Sequence, residues 1–333
     1  MVAELDPAGH AAARDLDRRR NGAPSLVASG TMIGERWSLL TDITTRLAAM
    51  DAAGIDMHLV SPSPSHYYPF LAAEHAHHVV TEINSAIRGF VDSAPDRLRG
   101  LGVIALQHPD SAAAMLADAM DRCGLDGVEI GSFGAASDGG QANTVELSDP
   151  RLEEFWAAAA RRRAIVFLHP FGCSLDERLD RFYLANTVSQ PAENAVALSH
   201  LIFGGVLDRH PDLRIVAAHA GGYLPTTIGR SDRAWAVRPE AHTCVQPPSH
   251  YLRKIWFDSL THDRTQLRSL ITAVGPDRVV LGSDFPFDMG TDTPLADLRA
   301  AIDDESTLIH ITGETARGLL VDSGAALPSF PLR

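Results

Sequence analysis

The sequence predicts an α/β fold of the (β/α)8 TIM-barrel class. From Leu40 onward, segments with apolar residues at helical spacing alternate with short apolar runs typical of buried parallel strands. Seven such strands can be counted, each separated from the next by a helix, which is one strand fewer than the closed barrel has. No Gly-x-Gly-x-x-Gly motif follows a strand, which argues against a doubly wound dinucleotide-binding sheet. We therefore expect a barrel that lacks its first strand.

The predicted elements follow one another regularly along the chain. The strands are expected at 55–62, 100–106, 126–132, 164–170, 214–218, 254–260 and 279–281. The helices are expected at 40–53, 72–93, 110–123, 149–162, 191–208, 223–237, 263–274, 293–302 and 306–320. Residues 171–190 form a connection long enough to be functional.

The chain divides into three predicted parts. Residues 1–36 contain no convincing buried strand and are expected to be an irregular N-terminal segment with a polar helix end and a turn. Residues 37–322 form the predicted barrel, and residues 323–333 form a tail. One large domain is favoured over two, because parallel barrels exceed 250 residues as single units.

Composition excludes several classes of function. The 29 Lys and Arg against 42 Asp and Glu give a net charge of −13, which argues against a nucleic-acid or membrane partner. Cys123, Cys173 and Cys244 are odd in number and form no Cys-x-x-Cys pair, so we expect neither a disulfide framework nor a cysteine zinc site. The default location is the cytoplasm. No apolar run reaches the roughly 18 residues of a membrane span.

Three polar side chains follow three predicted strands. His169 follows 165–168, His219 follows 214–218, and Asp284 follows 279–281. Because the carboxyl ends of parallel strands form one rim of a barrel, these side chains are expected to lie within about 8 Å of one another, a span that one metal centre bridges. A single histidine is usually a surface or core residue, but three metal-capable residues in equivalent places favour an active site.

Several ordered motifs carry a resemblance to a known family. They are RLAAMDAAGID (46–56), FLHP (167–170), PAEN (191–194), AAHAGG (217–222) and VLGSDFPF (280–287). With them, residues 37–320 resemble the amidohydrolase-2 family. The group includes metal-dependent decarboxylases of unsaturated and aromatic carboxylic acids.

The resemblance implies a set of functional residues. It implies one divalent metal, zinc or alternatively manganese, held by His169 and Asp284. It implies that His219 is the general acid or base, with Asp284 as a second catalytic residue. It implies that Arg46 and Arg230 bind the substrate carboxylate. It also implies that Asp258 and His262 orient the metal ligands. The family also implies a homodimer in which Arg230 reaches the neighbouring subunit's site.

One departure from the family pattern affects these expectations. The family's metal site includes a His-x-His pair at the end of the first strand, whereas the only histidine before Arg46 is His10, in a stretch that looks helical. We expect that the sequence starts after that strand, and that the chain as written retains less than one zinc after dialysis and is inactive.

Three functions remain open on the sequence. The first is a metal-dependent decarboxylase of an unsaturated or aromatic carboxylic acid. The second is a hydrolase of a small lactone or amide on the same fold. The third is an N-terminally truncated or degenerate paralogue without catalysis.

Overall fold

The fold is built around parallel strands that follow one another in sequence order. A computed structural model describes residues 2–135, 144–172 and 175–322. Its strands are β1 (His58–Val60), β2 (Leu98–Gly100), β3 (Gly102–Val103), β4 (Gly127–Ile130), β5 (Phe133–Gly134), β6 (Val145–Glu146), β7 (Ile165–Leu168), β8 (Arg214–Ala217), β9 (Trp256–Asp258) and β10 (Val279–Val280). The strands β5 and β6 form a small antiparallel hairpin outside the main sheet.

The main sheet is parallel throughout. Strand β1 pairs with β2, and β3 continues the course of β2 after Leu101 and pairs with β4. From there the order is β4, β7, β8, β9 and β10, each strand hydrogen-bonded to the next. The sheet thus has the strand sequence of a (β/α)8 barrel that begins at its second strand, and the predicted fold class is confirmed.

The two outer strands of this sheet do not pair with each other. Within the described residues no strand lies against the free edge of β1 or of β10. A cavity of about 260 Å³ lies between them, lined by Leu59, Val280 and Leu319 among others. The edge of β10 is partly covered, since the Leu281 N–H donates to the carbonyl of Ile311 at 3.0 Å. Such edges are where a further extended segment adds to a sheet.

Helices connect the strands and cover the outer face of the sheet. The α-helices are α1 (Val2–Leu5), α2 (Pro7–Asn21), α3 (Ala23–Glu35), α4 (Trp37–Thr41), α5 (Ile43–Ala53), α6 (Ala73–Asp92), α7 (Pro109–Asp121), α8 (Glu153–Arg162), α9 (Gln190–Phe203), α10 (Val206–Arg209), α11 (Leu224–Val237), α12 (Pro248–Tyr251), α13 (Arg264–Val274), α14 (Pro294–Ala301), α15 (Glu305–Ile309) and α16 (Thr315–Asp322). Short 3-10 or π-helical turns occupy Pro64–His66, Pro150–Leu152, Asp176–Leu179, Ala185–Ser189, His219–Gly221, Pro239–Ala241, Leu252–Lys254, Pro276–Arg278 and His310–Glu314.

Local sequence signals explain where α5 begins and ends. The Asp42 side chain accepts a hydrogen bond from the Thr45 N–H at 2.7 Å and so caps the first turn. Gly54 ends the helix in the left-handed conformation with φ of 72°, which glycine adopts without a steric penalty. These two ends fix the register of the helix, and Arg46 and Met50 are its buried residues.

Among the buried apolar clusters that hold the sheet and helices together, two pack against the central strands. The larger lies between the sheet and the helices and includes Phe155 and Trp156 of α8, both fully buried. The Trp156 Nε1–H donates to the carbonyl of Leu147 at 3.1 Å, so its one polar atom is satisfied. The smaller fills the inside of the sheet around Ile165 and Val216. Burial of each such side chain contributes about 1.5–3 kcal/mol.

The N-terminal segment differs from its prediction. Residues 2–35 were expected to be irregular, but they form α1, α2 and α3. The Asp6 carboxylate accepts a hydrogen bond from the Gly9 N–H at 2.8 Å, and Pro7 stands at the first helical position, where its missing N–H costs nothing. The Asp6 cap at the start of α2 is the sequence signal for this helix that the prediction did not use. The tail at 323–333 lies outside the described residues.

Two observations concern membrane-spanning segments and cysteines. No helix in the described part of the chain is long and apolar enough to cross a membrane. Cys123 and Cys244 are buried free thiols, and Cys173 lies outside the described residues.

Gly282 offers a test of how closely the last two strands approach. A Cβ at this position would lie 2.6 Å from the Cβ of Asp258. We expect Gly282→Ala to lower the free energy of unfolding by about 1–3 kcal/mol, because the strand ends must separate. The matched control is Gly229→Ala in α11, where nothing lies within 4 Å of the added Cβ and alanine favours the helix by up to about 1 kcal/mol. Urea unfolding of both variants measures this, and equal stabilities would contradict the close approach.

Candidate active site

Three side chains converge at the carboxyl end of the sheet. His169 directly follows β7, while His219 and Asp284 lie in the turns after β8 and β10. One ligand atom from each lies within 4.8 Å of the other two. The Nε2 atom of His169 is 3.8 Å from Oδ1 of Asp284, and the two imidazole centroids are 4.8 Å apart. The structure therefore brings together the three residues that the rim pattern singles out.

His169 is held in one orientation by main-chain contacts. Its N–H donates to the carbonyl of Ile130 at 2.9 Å, which continues the ladder between β4 and β7. Its Nδ1 lies 3.1 Å from the Pro170 carbonyl, and a carbonyl only accepts, so this nitrogen carries a proton. The Nε2 lone pair then points toward Asp284, as a metal ligand requires. Burial opposes the charged ring, but in the charged form Nε2 can donate a hydrogen bond to Asp284, and the carboxylates of Glu129 and Asp284 also favour the charge, so the pKa of His169 is raised.

His219 stands in a turn that Asp258 holds in place. His219 and Ala220 have φ angles of 52° and 55°, a region that non-glycine residues rarely occupy. The two carboxylate oxygens of Asp258 accept hydrogen bonds from the N–H groups of His219 and Ala220, each at 2.8 Å. The Leu260 N–H donates to the same carboxylate at 3.1 Å. Asp258 thus fixes the imidazole through its backbone.

The glycines after His219 are required by close packing. A Cβ on Gly221 would lie 2.6 Å from the ring of Phe257, and a Cβ on Gly222 would lie 2.1 Å from the Pro191 carbonyl oxygen. Nearby, the Asn194 side-chain amide donates to the carbonyl of Ala218 at 2.7 Å. The PAEN and AAHAGG motifs therefore form one packed unit that shapes the turn carrying His219.

The protonation of this region follows from burial. Burial lowers the pKa of His219 to about 4, with His169 and His262 acting in the same direction and Asp284 against it. Burial also raises the pKa of Asp258 to about 6, against the three N–H groups that stabilise its charge. At neutral pH His219 is therefore an uncharged imidazole with a lone pair available to a proton or a metal ion.

Two cavities meet at the cluster. One of about 250 Å³ extends inside the sheet and is lined by Arg46, His58 and Phe285 among others. Another of about 370 Å³ opens under the 185–190 segment and is lined by neutral polar groups such as Asn186 and Gln190. His219 and Asp284 line both cavities. A small molecule bound at the cluster can therefore extend into the cavity inside the sheet, beside Arg46, or into the cavity lined by neutral polar groups under the 185–190 segment.

Arg46 is a buried cation in the first cavity. It is 6% exposed, and its guanidinium carbon lies 5.0 Å from the ring centroid of Phe285 and 5.5 Å from that of Phe90. Its Nη1 is 3.4 Å from Nδ1 of His58, and its Nε has no hydrogen-bond partner among the described residues. Burial lowers the pKa of Arg46 to about 10. A buried guanidinium without a carboxylate partner favours an anionic ligand.

Two other candidate residues lie apart from the cluster. Arg230 is exposed on α11 and lines a separate surface depression with Phe203 and Glu240. It does not line either cavity at the cluster. His262 is exposed at the mouth of the 370 Å³ cavity, with a φ of 55°.

The cluster fits a divalent metal ion. Two imidazole nitrogens and a carboxylate oxygen are the ligand types that zinc prefers, and such sites leave one position for water or substrate. His169 has the fixed tautomer that leaves Nε2 free, and the ligand atoms lie within 4.8 Å of one another. His219, expected only as an acid or base, is close enough to be a third ligand.

Comparison with known proteins decides the family. The family model described as "Amidohydrolase" matches residues 7–320. The chain belongs to the amidohydrolase family. It is 31% identical over 281 residues to the 2-amino-3-carboxymuconate-6-semialdehyde decarboxylase of Dictyostelium discoideum, covering 84% of this chain and 76% of the relative.

Two further comparisons agree with this family. The amidohydrolase is 30% identical over 270 residues to the gamma-resorcylate decarboxylase of Rhodococcus jostii, covering 78% of this chain and 82% of the relative. The crystal structure of 5-carboxyvanillate decarboxylase from Sphingomonas paucimobilis superposes with a TM-score of 0.74 at 26% identity, covering 84% of this chain and 83% of that one. These proteins are enzymes, and all three are decarboxylases.

Sequence reasoning missed several residues of this amidohydrolase's site. Glu129, His58 and Asn194 were assigned no role. Glu129 stands inside the apolar run DGVEIGS (126–132), and a charged residue within a strand buried on both faces was a signal that could have identified it. Asn194 gave no comparable signal, because its partner is a main-chain carbonyl.

His58 gives a pH-dependent prediction. Burial first, then Arg46 and Arg97, lower the pKa of His58 to about 4. Between pH 6.5 and 4 the unfolded chain binds a proton that the folded protein does not, so the free energy of unfolding falls as the pH falls through this range. We expect His58→Gln to remove about 2–3 kcal/mol of this pH dependence.

The measurement is urea unfolding at a series of pH values. The matched control is His77→Gln, at an exposed position of α6, which is expected to leave the pH dependence unchanged. Parallel curves for the wild type and His58→Gln would contradict the prediction.

Proposed function

We propose that this amidohydrolase is a metal-dependent decarboxylase of an unsaturated or aromatic carboxylic acid. The observation that carries the proposal is the buried Arg46, which has no carboxylate partner among the described residues and lies in the same cavity as the His169, His219 and Asp284 cluster. A cation there suits an acid substrate, and the cluster suits a metal. The relatives described above, whose names all denote decarboxylases, support the same reaction class.

His169 and Asp284 are the proposed metal ligands, and His219 lies within reach as a third. Zinc is the proposed ion because of the imidazole nitrogens, with manganese as the alternative. When bound, a divalent ion supplies a Lewis acid that polarises the substrate's carboxylate or a neighbouring oxygen. The proposed roles of Asp258 and His262 are to position these groups, Asp258 through the backbone of His219.

The side chains of the protein carry out the proton transfer and hold the substrate. In decarboxylation the bond between the ring or chain carbon and the carboxyl carbon breaks, CO2 leaves, and the electron pair stays on the carbon, which then takes a proton. His219 is uncharged at neutral pH, so one of its ring nitrogens can receive and return a proton without an extreme pKa shift. Asp284 is the second group close enough to take part. Arg46 holds the anionic part of the substrate in line with this pair.

The shape of the cavities supports a small, partly apolar substrate. Phe285 and Phe287 line the 250 Å³ cavity beside Arg46, so a planar ring or diene can lie against aromatic side chains. The 370 Å³ cavity offers Asn186, Gln190 and Tyr223 to hydroxyl or amine substituents. A substrate whose apolar ring or chain lies in the 250 Å³ cavity and whose polar substituents lie in the 370 Å³ cavity would have its acid group at the cluster.

The proposal also covers the domain boundaries, the location and the assembly of the enzyme. We propose that residues 37–322 are the catalytic barrel, preceded by the N-terminal segment at 1–36 and followed by the tail at 323–333. We also propose a cytoplasmic homodimer in which Arg230 binds substrate at the neighbouring subunit's site. The exposure of Arg230 on α11 supports this arrangement, since an exposed arginine away from its own cluster is available to a second copy.

The reaction is tested by CO2 release from a panel of hydroxybenzoates and unsaturated dicarboxylic acids with excess zinc or manganese. The sequence alone led us to expect an inactive chain, but His219 lies close enough to His169 and Asp284 to be a third ligand. With excess metal we therefore expect metal-dependent release, and a loss of about 100-fold or more in Asp284→Asn. Arg46→Lys is expected to raise KM about 10-fold to 100-fold, because an ammonium cannot hold a carboxylate bidentately. The matched control, Arg299→Lys at an exposed position of α14, is expected to behave as wild type. Metal-independent release, or hydrolysis of a lactone without CO2 release, would contradict the proposal.

The assembly is tested by light scattering at micromolar concentration. We expect the mass of a dimer, and we expect Arg230→Ala to raise KM without changing that mass. Mixing Arg230→Ala with Asp284→Asn is expected to restore part of the activity, because hybrid dimers contain one site with both residues. A monomer with full activity would remove Arg230 from the substrate-binding residues.

A further inference from the structure

The helices α2, α3 and α4, residues 7–41, lie across the carboxyl end of the sheet, and we call them the rim helices. They contact the loops that follow three of its strands. His10 of α2 lies against Phe70 in the loop after β1, with ring centroids 6.2 Å apart. Gly22, between α2 and α3, packs against Asp180 in the loop after β7, so closely that an added Cβ would lie 1.9 Å from the Asp180 carbonyl oxygen.

The third loop follows β10, carries Asp284 and contacts the rim helices through an ion pair. The Nη1 atom of Arg36 is 3.1 Å from Oδ1 of Asp292. One turn further along the chain, Leu40 of α4 lines the 250 Å³ cavity that contains Arg46 and the cluster. The rim helices therefore form part of the wall of this cavity and link three loops at the rim that carries the cluster.

Few buried contacts hold the rim helices in place. None of the residues of α2, α3 and α4 is buried, whereas α5, which follows directly, buries Arg46 and Met50. The pair of Arg36 and Asp292 is partly exposed, with 29% and 62% of the two side chains accessible, so it adds little stability. A segment with so few buried contacts opens at a lower free energy than the whole protein.

The backbone can bend on either side of the rim helices and in their middle. Asp6 and Asp42 flank the segment and have non-helical angles, with φ of −141° and −103°. Gly22 has a φ of 76° and a ψ of 149°, a conformation that residues with a Cβ rarely adopt. Residues at the ends of helices commonly absorb the backbone changes of a moving segment.

Large apolar side chains remain exposed along the boundary between the rim helices and the loop after β7. The two segments touch, since the side chains of Ser29 and Tyr183 form a hydrogen bond. Scattered exposed apolar residues are ordinary in a folded protein, but six of them fall within these two segments. They are Val27, Ile33, Trp37, Phe171, Leu175 and Phe182. A tighter approach of the rim helices to this loop would bury part of this surface, which favours closure.

We propose that the rim helices are a lid of the active site. They lift from the three loops to admit the substrate and close over the Arg46 cavity during the reaction, bending at Asp6, Gly22 and Asp42. The need for opening rests on the proposed function, whereas the motion itself does not depend on the reaction. Closure excludes water from the cavity, which strengthens the contact between the buried guanidinium and an acid.

Hydrogen exchange of the whole chain without substrate tests the motion. We expect the amides of the rim helices to exchange together and at least about 10-fold faster than those of α5 and α6, because the lid opens without global unfolding. Arg36→Gln removes the ion pair and is expected to speed exchange in the rim helices up to about fivefold. Exchange in the rim helices as slow as in α5 would overturn the proposal, whatever the activity of the enzyme.

The matched control for this experiment is Arg162→Gln. The Arg162 Nη1 atom is 2.6 Å from Oδ1 of Asp121, the pair joins α8 to α7, and its side chains are 32% and 63% accessible, close to the values of the pair at Arg36. Arg162→Gln is expected to leave exchange in the rim helices unchanged. An equal acceleration by both variants would contradict the assigned role of Arg36.

A removable cross-link tests whether the reaction needs the motion. Arg36→Cys and Asp292→Cys are combined in a Cys173→Ser background and joined by a short bifunctional methanethiosulfonate, which a reductant removes. Cys123 and Cys244 are buried and do not compete for the reagent. Relative to the same variant before cross-linking, we expect CO2 release to fall at least about 10-fold and to recover on reduction.

The control for the cross-link is the pair Arg162→Cys and Asp121→Cys, treated in the same way, which is expected to keep its activity. Full CO2 release from the tied variant, with the cross-link verified by mass spectrometry, would overturn the lid. If no variant released CO2 even before cross-linking, the proposed decarboxylation would fail instead, and hydrogen exchange would still decide whether the rim helices open.

Discussion

The carboxylate of Asp258 is the contact on which the site depends. It ends β9 and accepts hydrogen bonds from three N–H groups, those of His219, Ala220 and Leu260. Two of these belong to the strained turn after β8, so the carboxylate offsets the backbone strain that brings the imidazole of His219 to the cluster. Gly282 allows the end of β10 to approach the same side chain. One buried carboxylate thereby links the ends of three strands, and the placement of both His219 and Asp284 follows from it.

The sequence was sufficient to predict the fold and the three residues at its rim. Strand ends are visible because apolar runs stop at a polar residue followed by glycine or proline, as in FLHP, AAHAGG and GSDFP. In a parallel sheet such ends share one edge, so the convergence of His169, His219 and Asp284 needs no knowledge of the loops. The burial of Arg46 on α5 was not predicted and is seen only in the structure.

Other features could not be predicted, because they depend on contacts between segments far apart in the chain. The Tyr67 hydroxyl reaches Glu129 across 62 residues and His169 across 102, and no local pattern encodes such distances. The close approach of His219 to His169 and Asp284 depends on an unusual φ that a sequence pattern does not reveal. The helices at 2–35 were missed for a different reason. That segment has no apolar run typical of a strand, and the start of its helix α2 is signalled by the Asp6 cap instead.

The proposed metal site is unevenly supported by the sheet. His169 follows β7, which is paired on both sides, by β4 and β8. Asp284 follows β10, whose one strand partner in the described part of the chain is β9, and its loop is held by a hydrogen bond from the Thr291 N–H to the Ser283 carbonyl at 2.8 Å. A ligand on an edge strand has fewer restraints, so its position varies more than that of a ligand on a central strand. Any extended segment that pairs with the free edge of β10 would order Asp284 as well as close the sheet. Metal affinity and completion of the barrel are therefore expected to be coupled in this protein, because both depend on the same edge.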